Sequence, residues 1–358
     1  MEFSAQVNEE FEKIRKNIQR PNIFVCGGTG AGKSSLINMT LADRKAKAPV
    51  GSGQPVTQEI AKYEGDLVVV YDSPGYESGD ENLRKYEETV LKFIKNNKNT
   101  PADRIHLVWY CISQGNDRIL DIDTKTINDI KKEGTPVVIV LTQADKGSVE
   151  SSEELKKELA RSCPGIEVLE TSEEKSLNLG VEPLIDWSIN NLDAALRGAF
   201  IACTNSIEHK QSEGEKIVLH HIVTAAGIAV SPIPFSDAVL LTGNQATLVA
   251  RLANLWDYSA AKSLITSALP GSLISNVARS TAGNLAKMVP GWGSVGGAAI
   301  NVTVASAITA GIGYGLNRMF FDMAKDELAG KKVDLPEYMK MLPGLAETFA
   351  EQFRNKNK

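Results

Sequence analysis

The chain has 358 residues, 39 Lys and Arg against 44 Asp and Glu, a formal net charge of -5, and 42% hydrophobic residues. This balance excludes a largely disordered, collagenous or disulfide-framework protein, and the mild acidity gives no bulk-charge reason to expect a nucleic-acid partner. The charge is unevenly spread: residues 199–358 hold 14 basic and 12 acidic residues, a net of +2, which leaves -7 for residues 1–198. The length predicts two domains with an N-terminal helix: residues 1–20, then 21–197, then 198–358.

Residues 5–19 have the spacing of a short amphipathic helix, which Pro21 ends. Glu9, Glu10 and Glu12 and the lack of an apolar core predict no signal peptide and residence in the cytosol. Cys26, Cys111, Cys163 and Cys203 form no Cys-x-x-Cys pair and read as reduced thiols. Short apolar runs then recur at Asn22–Cys26, Leu67–Tyr71, Ile105–Ile112, Val137–Thr142 and Ile166–Leu169. Between them lie helical stretches at about 33–42, 80–96, 121–133, 151–162 and 182–197. Such alternation predicts an α/β, doubly wound, mostly parallel sheet, with one antiparallel edge strand near Glu59–Tyr63.

The first apolar run leads into Gly27-Gly28-Thr29-Gly30-Ala31-Gly32-Lys33-Ser34, a G-x-x-x-x-G-K-S loop between strand and helix. Glycines let successive N–H groups point inward at phosphate oxygens, and the helix beginning at Lys33 and continuing through Ser34 and Ser35 adds its positive dipole end. Lys33 supplies a point charge to the outer phosphates, and the Ser34 hydroxyl is placed to ligate Mg²⁺. Thr57, in Pro55-Val56-Thr57, is the second expected Mg²⁺ ligand. Asp72, in Asp72-Ser73-Pro74-Gly75, is expected to hold the metal through water, while the Gly75 amide meets a γ-phosphate.

Thr142-Gln143-Ala144-Asp145 closes the fourth apolar run. The Asp145 carboxylate can accept both the N1–H and the 2-amino hydrogens of guanine, which adenine cannot match. Glu170-Thr171-Ser172 follows the last run, where a backbone N–H near Ser172 would meet the guanine O6. In this order, GGTGAGKSSLIN, PVT, DSPG, TQAD and ETS across residues 21–197 resemble a G domain of the Era-like (TRAFAC-class) GTPases. The resemblance implies a P-loop NTPase fold, GTP as substrate, GDP as product and Mg²⁺ as cofactor. Two departures stand out: Gln143 replaces the usual Lys, and Thr171-Ser172-Glu173 replaces the usual Ser-Ala.

Tyr76 follows the DSPG glycine, where Ras-like enzymes carry a water-orienting Gln, and Gly30 stands where some relatives place a potassium-binding Asn. Slow intrinsic hydrolysis that depends on a partner or self-association is therefore expected. Arg44, Lys45 and Lys47 read as a solvated basic loop rather than a cation supplied in cis.

The second half opens with a polar break at Lys210–Lys216. The 101 residues from Ile217 to Asn317 then carry only six charges: Asp237, Arg251, Asp257, Lys262, Arg279 and Lys287. Ile217–Ser236 and Met288–Asn317 are long enough to span a membrane but rich in Gly, Pro and polar groups. Gly293-x-x-x-Gly297 and Gly311-x-x-x-Gly315 permit close helix approach. Ala238–Trp256 is spaced as a helix with Asp237 as N-cap, adjacent His220 and His221 point to different helix faces and suit structural roles, and residues 334–353 predict a closing helix or two. This half is expected to be all-helical, and it resembles the helical domain that follows Era-like G domains in bacterial proteins. Expected partners are GTP or GDP, a membrane surface approached peripherally, and a second copy in a dynamin-like assembly; a ribosome-assembly role ranks last.

Overall fold

The computed structural model describes residues 3–42, 48, 59–76, 79–116, 119–177, 179–229, 236–257 and 297–356. They divide into two compact units, Gln19–Ser206 and Met1–Ile18 with Ile207–Lys358.

In the first unit, β1 (Asn22–Gly27) lies in the middle of a six-stranded sheet of order β2-β3-β1-β4-β5-β6. The others are β2 (Ala61–Glu64), β3 (Val69–Asp72), β4 (Leu107–Ser113), β5 (Val137–Thr142) and β6 (Val168–Glu170). All pairings are parallel except β2 on β3, which is the expected antiparallel edge. Every residue of β1, β4 and β5 is buried, as a parallel sheet covered on both faces requires.

The crossovers are α2 (Lys33–Thr40), α3 (Asp80–Asn97), α4 (Asp121–Lys132) and α5 (Val149–Ser162). Phe24, Tyr110, Ile139, Val90, Ile127 and Leu155 share one core cluster on the face of α3, α4 and α5. The stretch expected as one helix over 182–197 is two, α6 (Glu182–Asn191) and α7 (Ala194–Cys203). They part at Leu192, which is extended, so α7 turns to put Phe200 against Trp109, ring centroids 6.5 Å apart. The Trp109 indole also donates to Ser188 Oγ at 3.1 Å.

The described part of the second unit is helical. It comprises α1 (Phe3–Asn17), α8 (Ile207–Ala229), α9 (Ser236–Leu255), α10 (Gly297–Leu328) and α11 (Leu335–Lys356). Lys210–Lys216 is not a break: these residues lie inside α8, because Gly214 and Lys210 are packed rather than solvated. Asp237 lies within α9 rather than capping it, since the helix already begins at Ser236. The first helix, α1, packs with α9, where Asn254 Nδ2 donates to the Phe11 carbonyl at 3.4 Å and Arg15 pairs with Asp257.

The small residues of α10 serve helix packing. A Cβ at Gly311 would overlap the Ala346 carbonyl of α11, and one at Gly315 would sit 3.1 Å from the Ala346 amide. On another face, Gly313 admits Val218 of α8. Gly293 and the stretch 258–296 lie outside the described residues. No helix among the described residues is long and apolar enough to cross a membrane.

Several polar side chains buried in this core are paired, whereas Thr309 Oγ1 is buried without a hydrogen-bond partner. Asn317 Oδ1 accepts from the Trp256 indole at 2.9 Å, and its Nδ2 donates to the Gln211 carbonyl at 2.9 Å. His221 Nδ1 pairs with Asn244 Oδ1 at 2.7 Å, while Asn244 Nδ2 donates to the His221 carbonyl at 3.0 Å. His220 is exposed on the neighbouring face. Gly214 lets Asn317 reach this position, because a Cβ there would overlap the Asn317 amide. Gly214→Ala is expected to displace Asn317 from both partners and destabilise the chain by about 2 kcal/mol, read as a lower thermal midpoint.

Candidate functional site

β1 ends at Gly27 with φ of 137°, a conformation closed to other residues, and a Cβ there would overlap the Cys111 carbonyl on β4. The loop that follows turns through Gly30 (φ 76°) and Gly32 (φ 70°) before α2 begins at Lys33. Gly28, Thr29, Gly30, Ala31 and Gly32 thus form the connection from β1 to α2, with Ser34 and Ser35 in the first turn of α2. Lys33 is buried, and its ammonium donates to the carbonyls of Gly27 at 3.1 Å and Gly28 at 2.9 Å. Burial pushes its pKa down, and the nearby Asp72 opposes that shift.

Asp72 ends β3 beside β1 and is 1% exposed. Ser34 Oγ donates to its Oδ2 at 3.5 Å, while Oδ1 is buried without a hydrogen-bond partner. Burial raises the Asp72 pKa to about 6, against the pull of Lys33 and of the Ser34 hydroxyl. Among the described residues no group of three His, Cys, Asp or Glu gathers to hold a metal unaided. The set here is instead one hydroxyl and one under-satisfied carboxylate, hard oxygen donors of the kind Mg²⁺ takes when phosphate and water complete its shell. Thr57, Arg44, Lys45 and Lys47 lie outside the described residues.

At the other end of the loop, Thr142 Oγ1 donates to the Ala31 carbonyl at 2.8 Å and ties the end of β5 to the phosphate loop. Gln143 adopts the left-handed region (φ 55°). Its Oε1 accepts from Ser113 Oγ at 2.8 Å, and its Nε2 donates to the Gly30 carbonyl at 3.3 Å. Asp145 accepts from Ser172 Oγ at 2.7 Å, which holds its pKa below the usual carboxylate value. Gly32, Ser35, Thr142, Gln143, Asp145 and Ser172 all line one open cavity of about 140 Å³. Gly32 at the end of the phosphate loop and the Asp145 carboxylate therefore line the same cavity, although they are 113 positions apart.

Gly75 lies so close to the phosphate loop that a Cβ would come within 2.5 Å of Thr29 N and Cα. Next to it, the Tyr76 carbonyl accepts from Thr29 N at 3.2 Å. The sequence did not disclose where Tyr76 goes: its phenol donates to Asp123 Oδ1 at 2.6 Å, as does that of Tyr110 at 2.8 Å. Tyr86 sits beside them, its oxygen accepting from Gly27 N at 2.7 Å. These phenols come from α3, β4 and the loop after β3, so no linear spacing reveals the cluster.

The doubly wound sheet, the phosphate loop and the carboxylate across the same cavity define a GTP-binding G domain. Residues 22–143 match the family model described as 50S ribosome-binding GTPase. Over 131 residues the chain is 27% identical to a "Probable GTP-binding protein EngB" of Aquifex aeolicus, covering 36% of this chain and 68% of that one. Among solved structures, a probable GTP-binding protein engB is similar at 17% identity and a TM-score of 0.38, over 48% of this chain and 97% of that one. The Aquifex aeolicus Era bound to GDP·AlF4⁻ is similar at 15% identity and 0.36, over 49% and 58%.

The Asp72 shift has a readable consequence. In the unfolded chain this carboxyl ionises at its ordinary value, whereas the folded chain keeps its proton up to about 6. The folded state therefore binds more protons between those values, and stability falls as pH rises through the window. Denaturant titrations without nucleotide are expected to show wild type losing roughly 2 kcal/mol relative to Asp72→Asn between about pH 4 and about pH 7.

Proposed function

We propose that the chain is a Mg²⁺-dependent GTP-binding protein that hydrolyses GTP slowly by itself and faster with a partner or on self-association. The observation that carries this reading is the single cavity shared by the phosphate loop and Asp145. In this role Lys33 and the amides of Gly28 to Gly32 receive the β- and γ-phosphate oxygens, and Asp145 reads the guanine edge. Ser34, with Asp72 through water and Thr57, would hold Mg²⁺, which when bound supplies charge neutralisation to the phosphates. The Gly75 amide meets the terminal phosphate. Tyr76 offers no amide group to orient the attacking water, which accounts for slow turnover.

The C-terminal helical unit is the natural output, as a surface for a protein partner or a membrane, and corresponds in this reading to the helical domain that follows Era-like G domains. Support comes from the far end of α2. Ala42 N donates to the Cys203 carbonyl at 2.7 Å, and Asn205 Nδ2 donates to the Met39 carbonyl at 2.8 Å. The phosphate-binding helix is thus fastened to the residues immediately before α8. Liposome flotation and light scattering, each with GDP and with a GTP analogue, test the membrane and self-assembly outputs separately.

A second reading follows from the matched family description, 50S ribosome-binding GTPase, and takes a ribosomal subunit as partner. Nucleotide-dependent co-sedimentation with 50S subunits would support it over the first.

Asp145→Asn is expected to lower GTP affinity about a hundredfold, since two hydrogen bonds to a charged acceptor are lost, while improving xanthosine triphosphate binding. Titration with fluorescent nucleotides checks both. Single-turnover hydrolysis by dilute wild type should be slow, and a fast rate would overturn the need for a partner.

A further inference from the structure

One amide of the phosphate loop is engaged by the chain's own backbone. Thr29 N–H, one of the inward amides, is taken by the Tyr76 carbonyl at 3.2 Å. The approach is possible because residue 75 is glycine, with no Cβ to strike Thr29. The Tyr76 ring lies over Gly28, where a Cβ would come 3.1 Å from its Cζ, and packs edge-on against Tyr86 at 5.0 Å. Its phenol ends on Asp123, a carboxylate 1% exposed and fixed by Tyr110 and by the Leu120 amide at 3.1 Å.

We propose that Tyr76 and Asp123 form a latch that holds the Tyr76 carbonyl on the Thr29 amide and must open before a nucleoside triphosphate can bind. This rests on the nucleotide reading above, in which Gly75 meets the terminal phosphate. One N–H serves one strong acceptor, so a phosphate oxygen and the Tyr76 carbonyl compete for the same donor. When only a fraction of molecules is open, apparent affinity falls by that fraction. A diphosphate lacks the terminal group and leaves the latch largely undisturbed, so the latch discriminates against GTP more than GDP. Asp123 is a positioning residue here: it acts on the phosphate site only through Tyr76.

Tyr76→Phe removes the phenol bond to Asp123 but keeps the ring on Gly28 and Tyr86, so the fold is retained. Tyr110→Phe removes the other phenol from the same carboxylate oxygen and leaves the Tyr76 bond in place. Full-length wild type and both variants are titrated with GDP and with a non-hydrolysable GTP analogue in Mg²⁺. Tyr76→Phe is expected to bind the analogue about five- to tenfold more tightly, with GDP changed less than about twofold. Tyr110→Phe, which loosens Asp123 without removing the Tyr76 bond, should shift the ratio of the two affinities in the same direction as Tyr76→Phe but by less, whereas a general loosening of the α4 end would weaken both nucleotides in both variants. Unchanged or weaker analogue binding by Tyr76→Phe, with GDP binding intact, overturns the latch alone. A wild-type chain that binds neither nucleotide overturns the nucleotide reading and the latch with it.

Discussion

The nucleotide site depends on the close passage of β1 against β4 at Gly27. The carbonyl of Cys111 occupies the space a side chain at Gly27 would need, and the Tyr86 oxygen receives the Gly27 amide. That contact fixes the angle at which the chain leaves the central strand. Everything downstream inherits it: the left-handed turns at Gly30 and Gly32, the start of α2, and the return of Lys33 to the carbonyls of Gly27 and Gly28. A phosphate site made of backbone amides is only as precise as the strand that launches it, and here the launching strand is paired on both sides.

The same region stores uncompensated charge. Lys33 and Asp72 are both buried, each shifted by desolvation toward its neutral form and each partly restored by the other. In the proposed function, phosphate would meet the lysine and a divalent cation the carboxylate. The orphaned Asp72 Oδ1 fits this account, because a structural carboxylate this deep would ordinarily have all its lone pairs engaged.

The helical unit follows another logic. Its core is apolar but punctuated by amides: Asn317 with Trp256, Asn244 with His221, and Asn254 with Phe11. Paired buried amides fix which helix faces meet, since any slip strands a polar group away from water. Gly214 on α8 leaves the room that Asn317 of α10 occupies. This explains a composition that is poor in charge yet rich in Gly, Asn and Thr.

The sequence by itself determined the mostly parallel sheet and the phosphate loop, and it singled out Asp72 and Asp145 as candidate carboxylates, because each rests on local chemistry. Glycine positions dictate loop turns, strand ends dictate where a carboxylate is presented, and an alternating pattern of runs dictates a parallel sheet. It missed the break at Leu192 and the helical character of Lys210–Lys216, since both are set by what the segment packs on rather than by its own residues. Only the tertiary structure decided that Asp145 and the phosphate loop share a cavity, that α1 joins the C-terminal helices, and that Tyr76 reaches Asp123. Those contacts join residues tens to hundreds of positions apart, and linear spacing carries no information about which distant side chains a folded core brings within hydrogen-bond reach.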